Sequence, residues 1–205
     1  LLGASFFGFI FVGTLYMQQV LGYSALQAGL AWLAASITSV ALAGLSQALV
    51  TRVSAKLVMA VGMGLIGGGI LWTTAAPVHG AFWHDLAGPF FVTGAGTAFA
   101  FIPVSIAALA GIAEKEAGLA SGLLNTSQQI GGAIGVAIAS TVAATHSRTL
   151  IDSGSGAPAA LTGGFQWAFW VCGAIALAAI PVTFLLVRSH DLARVGSTQP
   201  ALSTD

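Results

Sequence analysis

GLASGLLNTSQQIGGAIGVAIAS, residues Gly118 to Ser140, is the stretch whose reading decides the fold. It carries no charge and is long enough to cross the hydrocarbon core of a bilayer. Ser121, Asn125, Gln128, Gly132, Gly135 and Ala139 recur at steps of four and three, which places them along one face of a helix. That face is small and polar, while the other faces carry Leu, Ile and Val. In lipid such a stripe must turn towards neighbouring helices or a watery cavity, because an amide exposed to hydrocarbon costs several kcal/mol. Gly118-xxx-Gly122 and Gly131-xxx-Gly135 have the small-xxx-small spacing that lets helix backbones approach closely. A packing seam and a substrate-facing surface both fit, and different residues of the stripe can serve each.

The rest of the chain has the same character. Of its 205 residues 57% are hydrophobic and only 6% are charged, with a mean hydropathy of +0.93. Soluble domains carry about 25% charge, so this composition is that of an integral membrane protein. A net charge of zero with no basic run argues against nucleic acid as a partner. The single Cys172 rules out an intrachain disulfide and leaves the redox compartment open. Leu1 already lies inside an apolar run, with neither the positive start nor the cleavage site of a signal peptide, so further sequence is expected before it.

Six apolar segments follow one another. The first spans about Leu1–Leu21, with Tyr16, Gln18 and Gln19 near its end. Ser24 is suited to cap the second, about Ala25–Val50, which contains Trp32, Ser36, Ser39 and Gln47. A short basic turn with Arg52 and Lys56 leads to the third, about Leu57–Ala76, where Gly64-xxx-Gly68 reads as tight helix packing. After the loop PVHGAFWHD, the fourth spans about Leu86–Ile112. It has Pro89 near its start, Pro103 inside, and Phe90, Phe91, Phe99 and Phe101 as packing residues. The fifth, about Ala117–Thr145, contains the opening stretch. His146 to Gly164 reads as the longest loop, and the sixth segment spans about Phe165–Val187 before a polar tail.

Six spans put both chain ends on one side. With the ends inside, the inner connections hold Arg52, Lys56, Lys115, Arg188 and Arg194, and the outer ones only Arg148. This satisfies the positive-inside rule and sets both ends in the cytoplasm. A faint internal echo, Gln27-Ala28-Gly29-Leu30-Ala31 against Glu116-Ala117-Gly118-Leu119-Ala120, opens the middle helices of two triplets. Inverted triplets of this kind build many secondary transporters. The expected fold is therefore all-α and polytopic, a six-helix unit of three-plus-three inverted repeats over residues 1–188, with a cytoplasmic tail over 189–205.

Three stretches resemble the major facilitator superfamily, and within it the fourteen-helix drug:proton antiporter branch. They are Tyr16 to Leu30, YMQQVLGYSALQAGL; the basic turn and helix start at Arg52 to Gly62; and Ala117 to Ala137, AGLASGLLNTSQQIGGAIGVA. The last is the most specific, with Gly-x-Ala-Ser-Gly-Leu, Asn, Gln and Gly-Gly-Ala-x-Gly at the expected spacings. The resemblance implies the C-terminal six-helix half of a multidrug exporter in the cell membrane. Its partners would be the remaining N-terminal helices, lipid, protons and a small hydrophobic or cationic substrate, moved by alternating access. Helical spacing and family position together place Gln18, Trp32, Phe99, Asn125 and Gln128 at the central cavity or gate, and the small-residue spacing places Gly64, Gly68, Gly118, Gly122, Gly131, Gly132 and Gly135 at helix packing seams. One departure stands out: no acidic residue lies within a span, although an intramembrane acid is the usual proton relay.

Other chemistries find less support. His79, His84 and Asp85 share a loop without a familiar metal spacing. His146, Ser147 and Asp152 lack a nucleophile elbow, and no Walker pattern suggests ATP as a direct energy source. No enzyme, metal or cofactor is expected. The alternative to a transporter is a truncated, non-transporting scaffold or a channel-like protein, although a channel would be expected to line its path with charge or carbonyl rings.

Overall fold

The computed structural model describes residues 1–109 and 112–186. The polar tail at 189–205, together with Arg188, lies outside the described residues. Among the described residues there are six long helices: α1 (Leu2–Gln19), α2 (Ala25–Arg52), α3 (Ala55–Thr73), α4 (Ala87–Leu109), α5 (Ala117–Asp152) and α6 (Ala157–Leu186). α2 to α6 are each long and apolar enough to cross a membrane. α1 is shorter, with 18 residues, and Gln18 and Gln19 end it. Each helix crosses opposite to its predecessor, so the bundle has a Leu1 end and a Gln19 end.

The helix boundaries follow local chemistry. Gly22, at φ 71°, takes the left-handed turn between α1 and α2. Ser24 then caps α2 reciprocally: its Oγ accepts from the Gln27 N–H at 3.3 Å, and the Gln27 Oε1 accepts from the Ser24 N–H at 2.8 Å. Ser54 caps α3 from one side only, its Oγ accepting from the Leu57 N–H at 3.3 Å. A single π-helical turn, Phe82–Leu86, leads into α4 just before Pro89. Pro103 denies a donor to the Phe99 carbonyl, and that carbonyl packs against Gly62, where an added Cβ would collide with it.

The connection between the last two helices differs from the sequence expectation. In place of a loop over His146–Gly164, α5 continues to Asp152 and α6 begins at Ala157. Nothing between His146 and Asp152 breaks a helix, and the turn comes only at Gly154, at φ 90°. Pro158 falls in the first turn of α6, where proline is tolerated, and the flanking alanines favour helix. α5 thereby reaches 36 residues, about 54 Å at about 1.5 Å per residue, well beyond a hydrocarbon core of about 30 Å.

Packing repeats between the triplets. α1 lies against α5 and α6 as α4 lies against α2 and α3, and α3 meets α6 where the two triplets join. This exchange of partners is the three-plus-three arrangement of an inverted repeat. Its middle members, α2 and α5, are the least enclosed helices: 11% and 28% of their apolar windows are buried, against 56% in α3. The core is aromatic where α1, α4 and α6 converge, with Phe9, Tyr16, Phe90 and Phe169 fully buried.

Candidate functional site

One side of α1 lies between α2 and α5 and is only partly covered by them, with Trp32 over Thr14 and Phe7 resting against Gly132. Phe7, Ile10, Thr14 and Gln18 lie there at steps of three and four, half-buried up to Thr14 and exposed at Gln18. α2 flanks this stripe on one side and α5 on the other. The stripe is therefore the floor of an open face.

At its centre Trp32 of α2 reaches across to α1. Its indole Nε1–H donates to the Thr14 Oγ1 at 3.0 Å, and Thr14 in turn donates to the Ile10 carbonyl at 2.7 Å. The ring stacks on Phe90 with centroids 4.4 Å apart and planes at 20°, and meets Phe9 edge-on at 5.3 Å. Gly13 leaves room for it, since a Cβ there would lie 3.1 Å from the ring. Trp32 is thus an aromatic platform with a fixed orientation, half-buried and supported from beneath. Nearer the Leu1 end, Phe6 meets Phe7 and Phe101 edge-to-face at 5.8 and 5.4 Å.

On the far wall, α5 changes character along its length. Gly131, Gly132 and Gly135 lie against α1: a Cβ at Gly131 would lie 3.7 Å from the Ala4 nitrogen, one at Gly132 would lie 2.6 Å from the Phe7 ring, and one at Gly135 would enter the Ala4 backbone. Gln128 is half-buried, its carbonyl held against Gly3, where a Cβ would come within 2.5 Å. Towards the Leu1 end contact ceases. Gly118 and Gly122 have open space where a Cβ would go, and Ser121, Asn125 and Gln129 are exposed.

The five cavity candidates are therefore distributed unevenly. Trp32 stands at the centre, Gln18 one turn beyond Thr14, and Asn125 and Gln128 on or beside the free face of α5. Phe99 does not join them. It lies nine residues after Phe90, half a turn away around α4, so it points away from the Trp32 cluster. The glycines of α3 are also redistributed: Gly68 meets nothing and Gly64 only Ile180 at 3.9 Å, whereas Gly62, Gly67 and Gly69 make the close approaches to α4 and α6. Thr14 and Gln129 were not singled out in the sequence; Thr14 is a lone hydroxyl in the middle of an apolar helix. Among the described residues no cluster of three metal-ligating side chains occurs. Asp85 accepts from the Ala81 N–H at 2.7 Å and so closes its own loop.

A membrane bundle whose middle helices leave polar amides and a supported tryptophan on one open face has the layout of a transporter unit. The sequence model described as Major Facilitator Superfamily matches residues 1–203. The chain belongs to the Major Facilitator Superfamily. It is 35% identical over 171 residues to the cephamycin export protein CmcT of Amycolatopsis lactamdurans, covering 82% of this chain and 34% of that protein. It is 28% identical over 199 residues to the uncharacterized MFS-type transporter EfpA of Mycobacterium tuberculosis, covering 92% and 37%. The puromycin resistance protein pur8 of Streptomyces alboniger matches at 28% over 189 residues, covering 88% and 36%. This facilitator chain thus spans about a third of the length of the curated relatives it matches. The family is one of multi-pass membrane transporters rather than enzymes, and these relatives place the chain beside its drug-export members.

Proposed function

We propose that this chain is the C-terminal six-helix half of an exporter that moves small hydrophobic or cationic compounds out of the cell by proton-coupled alternating access. The observation that carries the reading is the open face: in a membrane protein, Asn125, Gln129 and Ser121 stand exposed on a helix whose other sides are apolar. Amides are not left facing lipid, so a second helical unit and a watery path between the two are the natural complement. The export named for the cephamycin relative supports export of small molecules, and the resistance named for the puromycin relative is in keeping with it.

In this reading Trp32 and the Phe6–Phe7–Phe101 group offer flat apolar and cation–π contacts, and Gln18, Asn125 and Gln128 offer hydrogen bonds. The described residues place no acid on the open face, so in this reading the proton coupling rests on the family alone. Both chain ends face the cytoplasm, in keeping with Arg52, Lys56 and Lys115 at the Leu1 end. The test is export of a fluorescent cationic dye from vesicles under a pH gradient, using the complete transporter. Asn125→Ala with Gln128→Ala should alter the rate or the range of compounds exported. Unchanged export and range would remove these residues from the path, and export that continues after the gradient is collapsed would remove the proton coupling.

A further inference from the structure

On the side of the bundle away from the open face, α6 carries a groove between the end of α3 and the last turns of α5. Its volume is about 670 Å³, within the range of small-ligand sites. Phe169 and Cys172 face the core of α6, and Trp170 and Ala174 stand roughly opposite them, lining the groove. Along the groove a polar band lies between Leu150 and Gly163 at the Gln19 end and Trp170, Val171 and Ala174 deeper in. Towards the Gln19 end lie His146, Thr74 and Gln166. The His146 ring rests on Trp167 with centroids 5.0 Å apart, and Gln166 donates to the Ala76 carbonyl at 3.1 Å. About one and two turns deeper are Trp170 and Ala174.

The depth of the groove matches this polarity. In a bilayer, the apolar run of α6 from Phe165 and the continuation of α5 past His146 to Asp152 would set His146, Thr74 and Gln166 near headgroup level. Trp167 and Trp170, 52% and 53% exposed, occupy the position of interfacial aromatic anchors. We propose that the groove binds one phospholipid of the leaflet at the Gln19 end, its acyl chain along Trp170 and Ala174 and its phosphate and ester oxygens at His146. A packed helix, about 10 Å across, would match this head-to-tail change in polarity less well than an amphiphile does.

The proposal is independent of the cargo and of the coupling ion. It is tested on the complete membrane protein reconstituted with a phosphatidylcholine carrying a photoreactive group in one acyl chain, followed by peptide mapping. Adducts should concentrate on the segment from Gln166 to Ala174 relative to the exposed α5 positions Leu123 and Ile134. Ala174→Phe, which fills the groove from an exposed position, should lower that labelling roughly tenfold while leaving labelling at Ile134 unchanged as a check on folding. His146→Ala should weaken it while the tail contacts remain. Labelling spread evenly over all exposed apolar positions, or absent from the groove and indifferent to Ala174→Phe, would overturn the proposal in favour of bulk lipid or a covering helix.

Discussion

The two ends of α5 share a sequence pattern and differ in fate. Gly131-xxx-Gly135 is closed on α1, so tightly that a Cβ at Gly135 would enter the Ala4 backbone, whereas Gly118-xxx-Gly122 faces open space. The same spacing thus serves as a seam within this six-helix unit at one end and is left free for another surface at the other. α3 teaches the same lesson, where Gly64-xxx-Gly68 is loose and its neighbours Gly62 and Gly69 are tight. A small-residue motif states that close approach is possible; the opposing helix determines whether it happens.

The contrast can be broken most directly at Gly135. Gly135→Leu drives a side chain into backbone that cannot move aside, so monodisperse protein recovered from membranes should fall at least as far as the roughly 1–3 kcal/mol cost of overpacking implies. Gly132→Leu meets the Phe7 ring, which can swing, and should cost less. Wild-type yield from Gly135→Leu would mean that the α1–α5 contact is not the seam described.

Trp32→Ala should have the next largest effect. It removes the hydrogen bond to Thr14 and the stack on Phe90, and aromatic pairs contribute about 0.5–1.5 kcal/mol beyond burial. The melting temperature in detergent should drop, with Trp32→Phe recovering the stacking part only. Equal melting of the two variants would show that the hydrogen bond carries the effect.

The exposed end of α5 should respond in the opposite sense to the seam. Gly118→Leu and Gly122→Leu should leave the thermal stability of this six-helix unit nearly unchanged, yet impair export if a second unit docks there. Loss of stability comparable to that of Gly135→Leu would erase the distinction between the two ends. Smallest of all, Gly68→Ala should change yield by no more than about 0.5 kcal/mol, as for a surface substitution away from special features, because its Cβ meets nothing. A larger loss there would place an unseen neighbour on that face of α3.

Much of the fold was legible residue by residue. Six apolar runs, the Ser24 cap and the basic turn at Arg52 are properties of local segments, and the structure reproduces them. The helical hairpin around Gly154 was not legible as such, because Ala, Ser and Gly near Pro158 suggest a loop by composition even though no residue before Ser153 interrupts the helix. At the candidate site Trp32 was legible by residue type. Phe99 was placed by type and family position, and its angle around α4 sets it apart from Phe90. Thr14 could not be weighted from sequence, since its role exists only through the indole that reaches it from α2.

By itself the sequence determined that this protein is an all-helical membrane protein and where most of its helices begin and end. Hydropathy and backbone hydrogen bonding act within a single segment, so one segment suffices to read them. Only the tertiary structure decided which glycines form seams, which side of α1 is only partly covered and which amides stand exposed. In lipid no hydrophobic force draws one apolar helix to another, so those choices rest on the fit between two surfaces far apart in the chain.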